Sequence, residues 1–131
     1  MDQRIFNAQW PAELLFERGD GSPSPLTRNQ AKGGISSGTT DGALISATSG
    51  KKIRIVQALI TSGASSATYF TIRSKPAGTG TSISADHQLP VGSILLLPFN
   101  PWGWWESTIS QGISVNTGAD SVFIDVSYVL L

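Results

Sequence analysis

The segment from Ile94 to Ser107 restricts the fold more than any other part of the chain. It reads Ile-Leu-Leu-Leu-Pro-Phe-Asn-Pro-Trp-Gly-Trp-Trp-Glu-Ser, which places three of the four tryptophans within four positions, beside two prolines and a glycine. A helix does not tolerate the two prolines, because proline lacks the amide donor and clashes with the preceding turn. The segment instead predicts a strand that ends at Pro98, a rigid aromatic corner over residues 98–104, and a second strand that starts near Trp104.

Strand patterns are dense from about Gly42 to the end of the chain. The clearest is the last, where β-branched residues lead a period-two alternation of apolar side chains on one face: Val122, Ile124, Val126, Tyr128 and Leu130. About eight short strands, joined by turns every ten residues or so, predict an all-β antiparallel β-sandwich or jelly roll. No helical period of comparable quality is present, so an α/β fold is not expected.

Composition narrows the possible functions. The chain has 131 residues, enough for one domain with an extension, and 9 basic side chains balance 9 acidic ones. A neutral chain lacks the basic surface that binds a phosphate backbone, so no nucleic-acid partner is expected. There is no cysteine, hence no disulfide framework.

The longest apolar run, Ile94 to Phe99, is far shorter than the roughly 20 residues that span a bilayer, and the first residues lack a secretory pattern. We therefore expect no membrane partner, and synthesis in the cytoplasm.

The first 41 residues differ in character from residues 42–131. The stretch from Gln30 to Asp41 is rich in Gly, Ser and Thr, with few side chains to bury, and this alone would indicate a flexible leader. The residues before this stretch include large apolar side chains, however, which a mere linker would not carry. They are Ile5, Phe6, Trp10, Leu14, Leu15 and Phe16. We therefore predict an N-terminal arm over residues 1–41, extended or partly ordered and in contact with neighbouring subunits, followed by a β-sandwich domain over residues 42–131.

The residues that carry chemistry form no recognisable catalytic motif. The only histidine, His87, supplies at most one strong metal ligand, and its neighbour Asp86 points to the opposite face of a strand. Glu106, Asp120 and Asp125 are the carboxylates that an acid/base pair for glycoside cleavage could draw on, although surface charge is the ordinary explanation. No nucleophile elbow, dinucleotide fingerprint or phosphate loop is found. We expect a non-enzymatic protein without catalytic residues, metal or cofactor.

The clustered tryptophans allow two interpretations. Trp102, Trp104 and Trp105 could close one end of the sandwich, held rigid by the flanking prolines. Alternatively, at least one is exposed and anchors a partner protein or a glycan, because aromatic side chains bury a large area at a low entropic cost. Period two places Trp102 and Trp104 on one face and Trp105 on the other, so both interpretations can hold. Trp102 and Trp105 are the interface candidates in this segment.

Three stretches together resemble small virion proteins of tailed bacteriophages. They are Gly50-Lys51-Lys52-Ile53-Arg54-Ile55-Val56, then Leu97-Pro98-Phe99-Asn100-Pro101 with Trp102-Gly103-Trp104-Trp105-Glu106, then Gly112-Ile113-Ser114-Val115-Asn116-Thr117, and the closing strand with Tyr128 continues the likeness. In those proteins a basic strand starts the sandwich and a Pro-Phe-Asn-Pro corner leads into Gly-Trp. Many of them are capsid decoration, or cement, proteins with a jelly-roll sandwich. The resemblance covers roughly residues 42–131.

The resemblance implies a structural protein of the virion. Such a protein binds the outer capsid surface, bridges neighbouring major capsid subunits and resists internal DNA pressure. It also implies a homo-oligomer at a symmetry axis, with a trimer favoured over a dimer. Because similar sandwiches occur in tail and fibre proteins, a receptor- or carbohydrate-binding module on a tail or fibre is the alternative.

Overall fold

The structure, a computed structural model, describes residues 14–17 and 23–131. All regular elements in this part of the chain are strands, so the prediction of an all-β antiparallel fold is confirmed. No helix within these residues is long and apolar enough to cross a membrane. Two strands, β1 (Leu14–Glu17) and β2 (Pro23–Leu26), pair only with each other as an antiparallel hairpin.

The remaining ten strands form two five-stranded antiparallel sheets that pack as a sandwich. Sheet I contains β3 (Asn29–Ile35), β5 (Ile53–Ser62), β9 (Ile94–Leu97), β10 (Trp105–Glu106) and β12 (Val122–Leu130). Sheet II contains β4 (Gly42–Ile45), β6 (Thr68–Lys75), β7 (Thr81–Ser82), β8 (His87–Leu89) and β11 (Gly112–Thr117). Within sheet I the order is β10 and β9 on one side of β5, then β12, then β3, and within sheet II it is β4, β11, β6, then β7 and β8.

The sandwich has ten strands rather than the expected eight, because one edge of each sheet is interrupted. In sheet I, β9 and β10 both pair with β5, and the aromatic corner separates them. In sheet II, β7 and β8 both pair with β6, and residues 83–86 separate them. Each pair is therefore one discontinuous edge strand that counts as two. Interrupted edges present fewer free backbone groups to other chains than a long straight edge does.

The core lies between the sheets and follows the period-two pattern. Phe70 is fully buried, and Ile53, Ile55 and Ile60 from sheet I face Ile72, Ile113 and Val115 from sheet II. The C-terminal alternation is confirmed, since Val122, Ile124 and Val126 are buried in the core and Tyr128 and Leu130 pack against it. At about 25 cal/mol per Å² of apolar surface, these side chains supply the main favourable term in folding.

The sandwich begins before the predicted boundary at residue 42. Residues 29–35, which the sequence assigns to the arm, form β3 and pair with β12 from Asn29↔Tyr128 to Ile35↔Val122. A segment with few large side chains can do this at a sheet edge, because ladder hydrogen bonds satisfy its backbone, Ile35 enters the core and Ala31 packs against it. Glycines 33 and 34 within the strand allow the chain to lie closely against its neighbours.

The outer face of sheet II carries a polar network centred on Asp41. The Asp41 carboxylate accepts hydrogen bonds from the Gly80 amide at 3.0 Å and the Ser114 hydroxyl at 3.0 Å, and Arg73 Nε lies 3.3 Å from Asp41 Oδ1. Asn116 Oδ1 in turn accepts from the Asp41 amide. These donors, the Gly80 amide first, hold the pKa of Asp41 below its ordinary value of 3.8 despite desolvation.

A second carboxylate fastens two loops at one end of the sandwich. Asp120 accepts hydrogen bonds from the amides of Ser65 and Ser66 at 2.9 Å each, and from the Ser121 amide at 2.8 Å. The Ser66 amide is the largest of the influences that lower the pKa of Asp120, followed by the amides of Ser121 and Ser65. Asp120 is thereby a structural residue of the loops that precede β6 and β12.

Candidate interaction surface

The aromatic corner is an excursion from the edge of sheet I. It leaves the edge after Leu97 pairs with Ala58 and returns where Trp105 pairs with Ile55. Between these points the Asn100 amide donates to the Val56 carbonyl at 2.8 Å, and the Trp104 amide donates to the Ile55 carbonyl at 2.8 Å. The chain therefore stays hydrogen-bonded to β5 while its side chains fold over the outer face of the sheet. The predicted order of strand, corner and strand is confirmed.

The aromatic corner covers a small second core outside the sandwich. Val56 and Val129 point outward from sheet I and are fully buried, and Phe99 and Leu131 pack against them. The alternation of β5 is broken at this point by a register shift, at which Val56 is the extra residue between the pairs Gln57↔Ser127 and Ile55↔Tyr128. Val56 therefore faces outward because of this bulge, and its side chain anchors the aromatic corner through Phe99.

Arg54 ties the corner to the sheet. Its side chain packs against Gly103, where an added Cβ atom would overlap Arg54 Cγ, and Gly103 has a φ of +84°. Arg54 Nε donates to Glu106 Oε2 at 3.0 Å and Arg54 Nη1 donates to the Pro101 carbonyl at 3.2 Å. Glu106 also faces Lys52 at 3.5 Å. Glycine at position 103 is therefore required by both its backbone conformation and its close packing.

The three clustered tryptophans occupy different environments. Trp105 points inward, packs against the core, and meets Phe70 edge-to-face with ring centroids 6.1 Å apart. Trp102 is 66% exposed. Trp104 is 39% exposed, and its Nε1 donates to the Pro98 carbonyl at 2.8 Å. The corner thus sends one tryptophan to the core and presents another to solvent. Of the two interface candidates in this segment, Trp102 is available to a partner and Trp105 is largely used in packing.

Beyond the corner, the outer face of sheet I carries an apolar patch, which consists of Leu59, Ile94, Leu96 and Phe123. These side chains are 39%, 71%, 62% and 52% exposed. They are contiguous, because Leu59 pairs directly with Leu96, and Thr61 pairs with both Ile94 and Phe123. Exposed apolar patches of a few hundred Å² on small proteins are often functional. The sequence analysis did not identify these residues, although the signal was present in Ile94–Leu97, a run of apolar residues on both faces of one strand.

A trough adjoins the apolar patch and runs across the strands of sheet I. Its volume is about 520 Å³. Outward-facing side chains from two cross-strand rows line it: Gln57, Ser127 and Gln30 in one row, and Leu96, Leu59, Asp125 and Lys32 in the other. The first row lies next to the part of the sheet that the aromatic corner covers, and the second joins the apolar patch. The trough therefore combines amide, hydroxyl and charged groups with an apolar wall.

The carboxylates considered for acid/base chemistry do not share a cleft. Glu106 pairs with Arg54 near the start of β5, whereas Asp125 lies opposite Leu59, five residues further along the same strand. At about 3.3 Å per residue, this offset along β5 separates them by roughly 17 Å, more than the 5–10 Å that glycosidases use. Asp120 is engaged by the backbone amides of its loops. The geometry of these three side chains supplies structural contacts and surface charge.

The remaining candidate residues divide into described and undescribed positions. His87 is an exposed residue of β8 whose ring packs 5.1 Å from that of Phe70. Among the described residues no group of three or more His, Cys, Asp or Glu side chains stands close enough to hold a metal ion. Leu14, Leu15 and Phe16 belong to β1, whose backbone alone is described. The predicted contacts of Ile5, Phe6 and Trp10 lie outside the described residues.

Comparisons with known proteins add no relative to this picture. No protein-family model, curated protein or solved structure matches the chain.

Proposed function

We propose that this protein is a structural component of a tailed-bacteriophage virion that decorates the outer capsid surface. In this proposal it stabilises the shell by bridging neighbouring major capsid protein subunits. The observation that carries the proposal is the apolar patch on the outer face of sheet I. It lies on a regular sheet fixed by ladder hydrogen bonds on both sides of β5, which is the kind of rigid platform that docks on another protein with little loss of entropy.

The composition of the surface around the patch supports a protein partner. On the outer face of sheet I, the polar side chains of Gln57 and Asp125 lie next to Leu59 and Leu96. An apolar centre is therefore bordered by a polar rim, as in protein interfaces. The resemblance of the segments around Lys51, Pro98 and Val115 to phage decoration proteins supports the major capsid protein as that partner. Assembly as a homo-oligomer, with a trimer favoured, would let several modest patches act together by avidity.

The test uses capsids prepared without this protein. A Leu96→Glu variant places a charge at the centre of the patch while leaving the buried face of β9 unchanged, and we expect at least a 100-fold loss of capsid affinity. An Ala43→Glu variant, at an exposed position of β4 in the other sheet, is the matched control and should bind as the native protein does. Binding is measured by co-sedimentation, and electron microscopy of the decorated particle gives location and copy number. Full occupancy by Leu96→Glu would exclude the patch as the capsid contact.

The alternative function, a receptor- or carbohydrate-binding module on a tail or fibre, is favoured by the exposed Trp102. This side chain projects from a corner fixed by the turn hydrogen bond from the Gly103 amide to the Asn100 carbonyl at 2.9 Å, and by the Trp102 amide, which donates to Asn100 Oδ1 at 3.0 Å. A fixed, exposed indole is suited to stack on an apolar ligand face. If this function is correct, host glycans should quench tryptophan fluorescence and Trp102→Ala should remove the response. A panel of host glycans without any response would exclude it.

A further inference from the structure

We propose that two copies of this chain pair through β3 (Asn29–Ile35) and form a two-fold symmetric dimer. In this dimer β3 of one copy lies antiparallel to β3 of the other, so the two five-stranded copies of sheet I join into one continuous sheet. The pairing is argued from the geometry of β3 alone. Only its role as a bridge between capsid subunits rests on the proposed function.

β3 is the one long and regular edge strand of the described sandwich. It has seven residues, and its pairing with β12 runs without a register shift. The opposite edge of sheet I is divided into β9 and β10, and one edge of sheet II is divided into β7 and β8. The remaining edge strand, β4, has only four residues and a register shift in its pairing with β11. Because short strands and bulges discourage pairing with other chains, β3 is the edge best suited to it.

The hydrogen bonds of β5 show which way the backbone groups of sheet I point. The Ser62 amide donates to the Ser93 carbonyl at 3.0 Å, on the side of β9. The next amide, that of Gly63, donates to the Ser121 carbonyl at 2.9 Å, on the side of β12. Backbone groups alternate in direction along a strand, so within residues 57–62 the odd-numbered residues face β12. Their partners in β12 are odd-numbered too, and the even-numbered residues of β12 therefore face β3.

The same alternation identifies the backbone groups at the free edge of β3. Even-numbered residues of β12 pair with odd-numbered residues of β3, as in Ile124↔Gly33. The N–H and C=O groups of Gln30, Lys32 and Gly34 therefore point out of the sheet edge. In the described part of the chain no backbone group is bonded to them. All of these residues are exposed, so they offer donors and acceptors at the spacing that an added antiparallel strand requires.

The side chains of β3 favour one register for self-pairing. With the two-fold axis at Lys32, the two ammonium groups would lie directly opposite each other, and like charges in that position are destabilising. With the axis at Ala31, Gln30 of one copy faces Lys32 of the other, and each such pair exchanges both backbone hydrogen bonds. The Gln30 side-chain carbonyl can also accept from the Lys32 ammonium. On the inner side Ala31 faces Ala31 and Asn29 faces Gly33, so no bulky side chain separates the edges.

An axis at Gly33 is disfavoured by the end of the strand. It would pair Gln30 of one copy with Ser36 of the other. The Ser36 carbonyl, however, already accepts hydrogen bonds from the hydroxyls of Thr39 and Thr117. Since a carbonyl oxygen has two lone pairs, this group has none left for a second chain. The axis at Ala31 is therefore the register we expect.

The symmetry of this pairing places both apolar patches on the same side of the dimer. A two-fold axis perpendicular to the joined sheet exchanges the copies without turning either one over, so Leu96 of both copies faces the same way. Seven strand spacings separate the two β9 strands, which is about 34 Å at 4.8 Å each. Because this is about the diameter of a small domain, the two patches can contact two neighbouring capsid subunits at once.

Analytical ultracentrifugation of the full-length protein tests the assembly. At concentrations up to about 1 mM we expect the mass of two chains. Lys32→Pro removes an N–H that points out of the free edge and no bond to β12, and proline is tolerated at such edge positions. This variant should keep the native circular dichroism spectrum and raise the dimer dissociation constant about tenfold or more. Lys32→Gln keeps the N–H and is the matched control, which should dimerise as the native protein does.

Single cysteines test the register, because the chain has no cysteine of its own. In Ala31→Cys the two thiols meet at the axis, in a non-hydrogen-bonded pair whose Cα atoms are about 4.5 Å apart, within disulfide range. Mild oxidation should therefore give a covalent dimer on a denaturing gel. In the control variant Asn29→Cys each thiol faces Gly33 of the other copy, and oxidation should leave single chains.

Several results would overturn the proposal. They are a native monomer at every concentration, the trimer that the resemblance to virion proteins favours, a dimer that Lys32→Pro does not weaken, and equal cross-linking of Asn29→Cys and Ala31→Cys. If Lys32→Pro does not fold, the cross-linking of Ala31→Cys decides alone. Leu96→Glu should still dimerise, because the patch lies outside the pairing. A dimer that does not bind capsids contradicts only the proposed function, whereas a monomer that binds them contradicts only the pairing.

Discussion

The outer faces of the two sheets have opposite characters. On sheet II, the polar groups at Asp41, Arg73 and Ser114 are largely enclosed and bind one another. On sheet I, Leu59, Leu96 and Phe123 face outward, and the charged side chains Lys32 and Asp125 are exposed. A face whose polar groups are largely paired with one another contributes to the stability of the fold and has few groups left for a partner. A face with exposed apolar side chains contributes less to folding and more to binding. Substitutions on the two faces should therefore separate stability from binding.

The largest difference in the free energy of unfolding is expected between substitutions of two aspartates, Asp41 and Asp125. Asp41→Ala leaves Arg73 without its carboxylate in an enclosed site and places alanine at a φ of +55°, so unfolding should become easier by about 3 kcal/mol. Asp125→Ala removes an exposed side chain, and its effect should stay within about 0.5 kcal/mol. Urea unfolding followed by far-ultraviolet circular dichroism measures both. Equal effects would show that the network on sheet II is no more important for the fold than the exposed face.

Two glycine-to-alanine substitutions, at Gly103 and Gly92, test how the aromatic corner is attached to sheet I. Gly103→Ala should destabilise by about 2 kcal/mol, because alanine is strained at a φ of +84° and its Cβ meets the Arg54 side chain. Gly92→Ala is the matched control, since φ there is +65° but no atom lies within 4 Å of the new Cβ, and about 1 kcal/mol is expected. The difference measures the packing of Gly103 on Arg54. Equal thermal shifts for the two variants would contradict a close contact at that point.

Alanine substitutions of two adjacent leucines, Leu95 and Leu96, compare the inner and outer sides of β9. Leu95 packs against the core, whereas Leu96 is exposed in the apolar patch. Leu95→Ala should cost about 1.5 kcal/mol, less than a fully buried leucine because the residue is only half-buried, and Leu96→Ala about 0.5 kcal/mol or less. Chemical denaturation ranks them. A larger loss at Leu96 would mean that β9 has the opposite orientation or that another part of the chain covers the patch tightly.

The sequence predicts the sandwich well because burial between two sheets imposes period two on the long strands. The alternation in β12 and the corner between β9 and β10 both follow from local chemistry, namely branched side chains in one and prolines in the other. β3 was missed because its residues join the sheet through backbone pairing with β12, which leaves almost no pattern in the side chains. The apolar patch was missed for a related reason. Leu59 and Leu96 become neighbours only through the β5–β9 register, which composition does not reveal.

Acid should weaken the native fold through carboxylates that the backbone holds ionised. The folded pKa values of Asp41 and Asp120 lie below 3.8, so both groups stabilise the native state above that pH and lose this contribution as the pH falls through their folded values. Stability should thus decline below about pH 4. In Asp41→Asn and Asp120→Asn the decline should be shallower than in the native protein. Thermal unfolding between about pH 7 and pH 2 provides the comparison. Identical acid slopes in all three proteins would mean that other groups control acid unfolding.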